Sequence, residues 1–530
     1  MRKIKILFAS LTALSCFCVS CLPITKQISS MYSVIANAED TEEIVTSGTC
    51  GENLTWNFEK STGTLTISGT GAMTNYTGTF PWRDLRLNIK KVILENGVTT
   101  IGKYAFSFCY ALESVIIPDS VITIEECTFY DCSALESIVI SDSVTTIEFD
   151  AFENTPWLEN KKNKNPFVIV NGILIDGKAC EGDIVIPNGV TSIAKYAFMF
   201  CDSLTSVTIP NSVTTIGNGA FYGCDGLESV TIPDSVTSIG DKVFKSCKSL
   251  ISIYVDENNL HYSSQDNILF DKNKSELITF PIKNNIIEYI IPDSVTTIGN
   301  EAFEGCDALE SVTIPDSVTK IGESAFEHCE SLTSIYVDEN NLHYSSQDNI
   351  LFDKNKSELI TFPIKNTIIE YIIPDSVTTI GDEAFEGCDA LESVTIPDSV
   401  TKIGEYAFYD CTSLTSITIE NPECEIYDFE YTISAIATIY GYDNSTAKAY
   451  AEEYNRNFIS IGTKRKNPIT NILDGITWQG LLFNRQSLGL NYVVIIIMSG
   501  LVSAIPGIII IFGLGLATLF KKFVNLIFNK

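Results

Sequence analysis

One unit recurs along this chain at a period of 23 residues, and that period constrains the fold more than any single motif does. Val213 to Ser235 shows it whole: V-T-T-I-G-N-G-A-F-Y-G-C-D-G-L-E-S-V-T-I-P-D-S. The valine after the P-D-S turn or its equivalent recurs at Val98, Val121 and Val144, at Val190, Val213 and Val236, at Val295 and Val318, and at Val377 and Val400. Val144 and Val190 are 46 residues apart, two periods, so the register survives the faded consensus around Pro156–Asp183. The gaps Val236–Val295 and Val318–Val377 are both 59 residues, and each carries 36 residues beyond the period.

Such a unit cannot bury its own apolar face. Val230 and Ile232 alternate on a short strand, Leu227 leads into it, Pro233 ends it and Asp234–Ser235 turn the chain. Stacked coils lay these strands side by side in parallel, closing backbone hydrogen bonds between neighbours and forming a continuous apolar interior. Ile216, Ala220, Phe221 and Cys224 then fill the opposite wall. The phenylalanine recurs at Phe106, Phe129, Phe152, Phe198, Phe221, Phe244, Phe303, Phe326, Phe385 and Phe408, which predicts a buried spine. The expected fold is a repeat solenoid, mainly short parallel β-strands with short helical or irregular convex segments.

The long gaps belong to a duplication. Residues 250–332 and 332–414 are nearly identical at an offset of 82. Inside each copy N-I-L-F and S-E-L-I-T-F-P flank D-K-N-K, which reads as a hairpin with a four-residue turn. His261 and His343 are therefore one histidine seen twice, for which a structural or solvent role is expected.

The spacing I-G-x-x-A-F-x-x-C-x-x-L-x-S-V-x-I-P-x-S-V resembles the BspA-like class of bacterial leucine-rich repeat proteins over about 97–420. The flanks G-T-C-G-E-N-L-T-W and L-T-I-S-G-T-G-A-M, and A-T-I-Y-G-Y-D-N-S-T-A-K-A-Y-A, are similar to pieces of gut-bacterial members. They are taken as caps for the open sheet ends, an N-terminal β-rich cap at 39–96 and a C-terminal cap at 421–462, since an exposed strand edge invites association. The resemblance implies a surface-displayed adhesin or binding protein for host matrix proteins, other microbes or glycans.

The ends carry targeting signals. Arg2, Lys3 and Lys5, the apolar run Ile6 to Leu22 and the small-x-small site at Ala36 and Ala38 read as a secretory signal peptide over 1–38. Tyr492 to Phe520 holds no charge and is long enough to cross a bilayer. It gives a transmembrane helix at 490–520 after a juxtamembrane linker at 463–489, with 521–530 as a cytoplasmic tail. Pro506 would kink that helix, and Ser499, Ser503 and Gly507 form a small-residue stripe open to weak helix pairing. The expected placement is secretion followed by anchoring in the bacterial plasma membrane, with the solenoid extracellular.

Charge excludes one large class of partner. The 530 residues hold 66 Asp+Glu against 35 Lys+Arg, a formal charge of −31, and the two ends, 1–38 and 463–530, are themselves net basic. A surface this acidic cannot track phosphates, so nucleic acid is ruled out.

Chemistry is scarce. Only three histidines occur, His261, His328 and His343, and H-E-x-x-H, G-x-S-x-G and G-x-x-x-x-G-K-S/T are all absent. The nearest approach to a calcium loop, Asp271, Asn273 and Ser275, lacks the Gly and the distal Glu. No catalytic residue, cofactor or metal ligand is assigned, and an enzyme would need a pocket built in the 36-residue inserts or in 153–183. Of 16 cysteines, Cys109, Cys132, Cys201, Cys224, Cys247, Cys306, Cys329, Cys388 and Cys411 share one repeat position. They read as a ladder of reduced core thiols rather than a disulfide framework.

Function is left to the outward positions of the sheet. Candidate ligand-binding residues are Glu228, Ser229, Thr231 and Tyr254, with Glu310, Thr313, Tyr336 and Thr395 at matching positions further along. The expected ligand is an extracellular protein or glycan. A membrane-tethered spacer or envelope component is the alternative.

Overall fold

The computed structural model describes residues 46–464. Each regular unit places two strands. In the Val213–Ser235 unit these are Thr215–Ile216 and Ser229–Ile232. Ser229–Ile232 runs parallel to Leu204–Thr208 on one side and Ser252–Val255 on the other, with Val230 against Val207 and Ile253. Partners differ by 23 residues, so the sequence period is the hydrogen-bond register. Threonines repeat it: the Thr214 hydroxyl donates to the Thr191 carbonyl and the Thr237 hydroxyl to that of Thr214, both at 3.2 Å.

The opposite wall is a sheet too. Thr215–Ile216 pairs in parallel with Ser192–Ile193 and Ser238–Ile239. The sequence predicted packing side chains at Ile216 but no strand, because two residues are too few to show alternation. Gly217 ends the strand, and a Cβ there would lie 2.7 Å from the Lys195 backbone nitrogen, so neighbouring coils close to contact at that point. The stretch that follows consists of turns, without the helical segments that were allowed for. Gly219 and Gly223 adopt φ of 57° and 66°, and the equivalent residues of other units, such as Lys242 and Ser246 or Ser324 and His328, are left-handed as well. Left-handed residues every fourth position break a right-handed helix.

Between the walls lies the predicted spine. Phe198 and Phe221 stack at 5.0 Å with 10° between their planes, Phe221 and Phe244 at 5.8 Å and 7°, and Phe106 and Phe129 at 5.4 Å and 8°. Beside it runs the thiol ladder. All thirteen cysteines of the described residues are free and buried. Cys224, Cys247 and Cys411 each donate Sγ–H to the carbonyl of the phenylalanine of an earlier unit at 3.0 Å, so the thiol closes a backbone acceptor as well as filling space.

Three interruptions break the regular coil. The first holds a helix, Pro156–Lys162, capped by Thr155, whose hydroxyl accepts from the Leu158 amide, and started by Pro156. The other two are the 36-residue inserts. In the first of these Ile268–Asp271 and Glu276–Thr279 form the expected antiparallel hairpin, and Tyr262–Gln265 adds an unforeseen third strand. Glu276–Thr279 then pairs in parallel with Thr297–Ile298, so the insert joins the short-strand wall. The second insert repeats this with Tyr344–Gln347, Ile350–Asp353 and Glu358–Thr361. Asn259 steers the chain in: buried, it donates to the Pro233 and Val236 carbonyls and accepts from the His261 and Tyr262 amides.

The apolar interior was expected to be continuous, but it divides at the inserts. One cluster runs from Cys50 to Leu269, a second from Ile268 to Leu351 and a third from Ile350 to Ala451. The long-strand wall is broken at the same places. At one end three antiparallel strands, Ser47–Gly51, Leu54–Glu59 and Thr64–Gly69, precede the first parallel pairing with Lys91–Leu94. At the other, helix Thr446–Glu453 connects the parallel strands Thr438–Gly441 and Phe458–Ser460.

No helix among the described residues is long and apolar enough to cross a membrane. The expected signal peptide and the 490–520 helix, with its Ser499, Ser503 and Gly507 stripe, lie outside the described residues.

Candidate functional site

Strand alternation fixes which residues of the long-strand wall reach solvent. Val230 and Ile232 point inward, so Thr231 between them points out, and Glu228 just before the strand is exposed while Ser229 is half-buried. Thr231 stands beside Tyr254, which is 52% exposed. These four expected residues share one sheet, made by Gly182–Val185, Leu204–Thr208, Ser229–Ile232 and Ser252–Val255.

The remaining candidates do not join them. Thr313 lies between Ile290 and Tyr336 on a second sheet, with Glu310 preceding its strand, and Thr395 lies between Ile372 and Thr418 on a third. The candidates therefore fall on three separate outward rows where a single face was expected. Each row begins at an exposed aliphatic residue, Val185, Ile290 or Ile372, and two of them end at a tyrosine, Tyr254 or Tyr336, the latter 48% exposed. The aliphatic ends escaped the sequence reading because they fall in the weakly matching units that restart each sheet.

A second aromatic surface was also missed. Phe200, 60% exposed, meets Tyr222 edge-on at 5.7 Å, and Phe108 meets Tyr130 at 5.6 Å. Both lie on the turns that follow the spine phenylalanine, where a second aromatic two residues on was the available signal.

The inserts open two related cavities. Each sits where the spine is parted, between Phe244 and Phe280 in the first and between Phe326 and Phe362 in the second, with volumes of about 490 and 450 Å³. In the first, Lys245 Nζ lies 2.8 Å from Glu301 and 3.3 Å from Glu304, and Lys242 Nζ lies 2.7 Å from Glu301. Burial pulls the Lys245 pKa down, but its contacts with Glu301 and Glu304 outweigh this and raise it.

The positions 82 residues further on carry different chemistry. Ser324 replaces Lys242, Glu327 replaces Lys245 and His328 replaces Ser246, while Glu383 and Glu386 keep the two glutamates. Glu327, His328 and Glu386 offer ligand atoms all within 4.8 Å of one another, although the sequence assigned no metal ligand. His328 lies 3.1 Å from Glu327, and that hydrogen bond raises the imidazole pKa to about 9. Burial pushes the Glu386 carboxyl up to about 7. The duplicated histidines stand apart from this cluster, although His261 lines the first cavity. Asp271 is engaged in its own turn, accepting from Ser275 and from the Glu276 amide at 2.7 Å each.

Residues 85–170, 179–289, 279–372 and 361–461 match the BspA type leucine rich repeat region. The chain belongs to that family. Among solved structures, a leucine rich cell surface protein from Faecalibacterium prausnitzii is 29% identical, over 73% of this chain and 96% of its own, with a TM-score of 0.38. A leucine-rich repeat protein from Bacteroides ovatus is 26% identical over 74% and 98%, with a TM-score of 0.28. The pneumococcal vaccine antigen PcpA is 20% identical over 79% and 100%, with a TM-score of 0.38. No curated protein sequence matches.

Proposed function

We propose that this BspA-type repeat protein is a surface-displayed binding protein, an adhesin whose outward sheet rows hold an extracellular protein or a glycan. One observation carries the reading: Thr231 and Tyr254 stand side by side on an open strand pair, and Thr313 and Tyr336 repeat the arrangement on the next sheet. Rigid tyrosines flanked by small hydroxyl side chains give large contact area at low entropic cost with adaptable hydrogen bonding around it. Glu228, Ser229, Glu310 and Thr395 contribute polar contacts at the margins of the rows.

Secretion and display rest on the signal peptide and the 490–520 helix read from the sequence, and the protein carries no catalytic role in this account. The test is binding of residues 39–462 to a panel of matrix proteins and glycans at physiological salt, beside the double variant Tyr254→Ser, Tyr336→Ser. Saturable binding that weakens about tenfold or more in the variant is expected of anchor tyrosines. No binding across a broad panel would favour the tethered spacer.

A further inference from the structure

The two insert cavities are siblings in which one carboxylate pair has kept its cation and the other has not. Lys245 places an ammonium between Glu301 and Glu304, joining the unit before the first insert to the unit after it. The second cavity keeps that pair as Glu383 and Glu386 and loses both lysines. Its lining carries seven carboxylates and His328 with no lysine or arginine, whereas the first sets three lysines against five carboxylates. Among the described residues nothing donates a hydrogen bond to the Glu386 side chain, and Glu383 accepts one from the Ser324 hydroxyl at 2.5 Å. The homologous ammonium marks where a cation sits in this cavity shape. In the second copy, the side chain that carried that ammonium is itself a carboxylate, with an imidazole beside it.

We propose that the cavity behind the second insert is a zinc-class divalent-cation site, held by Glu327, His328 and Glu386. An imidazole with two carboxylates suits zinc, whose nitrogen and oxygen bonds are near 2.0–2.2 Å, better than the all-oxygen shells of calcium or magnesium. The fourth position falls to water. Glu327 and His328 precede the insert and Glu386 follows it, so the ion ties together two units at the point where the apolar core divides. It does for the second insert what Lys242 and Lys245 do for the first. This site is independent of the sheet rows and of the binding they are proposed to perform.

The test uses the full-length chain stripped by a chelator and titrated with ZnCl2, with CaCl2 and MgCl2 as separate arms, followed by calorimetry and by thermal melting. One zinc per chain and a raised melting midpoint are expected. Glu327→Lys rebuilds the sibling's ammonium, so it should fold and melt like the metal-free parent while binding zinc about tenfold or more weakly. Glu386→Gln removes a ligand without changing size and should weaken zinc to a similar degree. Zinc binding of equal strength in the parent and in a folded Glu327→Lys chain would overturn the proposal, as would no zinc binding by the parent. Tighter binding of calcium or magnesium than of zinc would overturn the choice of ion.

Discussion

At the scale of single residues the solenoid is held by side chains that do the same work once per turn. Replacing Phe221 by Ala removes a ring stacked on both neighbours and should cost about 3–5 kcal/mol, read by urea denaturation. The thiols give a pH dependence. Burial raises Cys109, Cys329 and Cys411 from the ordinary value near 9 to about 12. A folded-state pKa raised above the unfolded one gives stability that is complete below about pH 9 and lost as pH rises toward about 12. The melting midpoint should therefore fall on going from pH 8 to pH 10.5, and native thiols should resist alkylation at pH 8 until the chain is unfolded. A thiol that reacts quickly in the folded protein would contradict the buried ladder. The spine and ladder were legible because each needs only a residue type recurring at 23. His328 was not, because its partner Glu386 lies 58 residues away across an insert whose path the sequence does not give.

At the scale of elements the inserts are the informative parts. The hairpin was readable from two apolar runs around D-K-N-K, but Tyr262–Gln265 was not, since Y-S-S-Q has no apolar alternation and pairs only because Ile268–Asp271 offers it an edge. The division of the core was hidden for the same reason. Periodic positions show which residues face inward, not whether successive layers touch. The Lys245 clamp gives a direct check. Its side chain and those of Glu301 and Glu304 are largely buried, so Lys245→Met should cost about 3 kcal/mol by leaving Glu304 without its cation, while Glu301 keeps Lys242. Hydrogen exchange should place the loosening around the first insert and leave the second untouched. Asn259→Ala strips four backbone groups of their partners and should cost about 2–3 kcal/mol, with the same local signature.

At the scale of the whole molecule the repeat makes length separable from fold, because each coil contacts chiefly its neighbours. Deleting residues 319–400 joins Val318 to Thr401, successive positions of the repeat because Val318 and Val400 share one register, and removes one copy of the duplicated block. The shortened chain should keep its far-ultraviolet dichroism per residue, melt within a few degrees of the parent and lose its zinc response together with Glu327, His328 and Glu386. Collapse of the fold would mean that the copies depend on each other beyond neighbour contacts.

Binding by the sheet rows is tested most directly by hydrogen exchange on the ligand complex. With a partner from the binding panel at saturation, exchange should slow in Ser229–Ile232, Ser252–Val255, Ser311–Ile314 and Ser334–Val337 and stay unchanged at the turn aromatics. Protection confined to the turns around Phe108, Phe200 and Tyr222, with the strands unchanged, would contradict it.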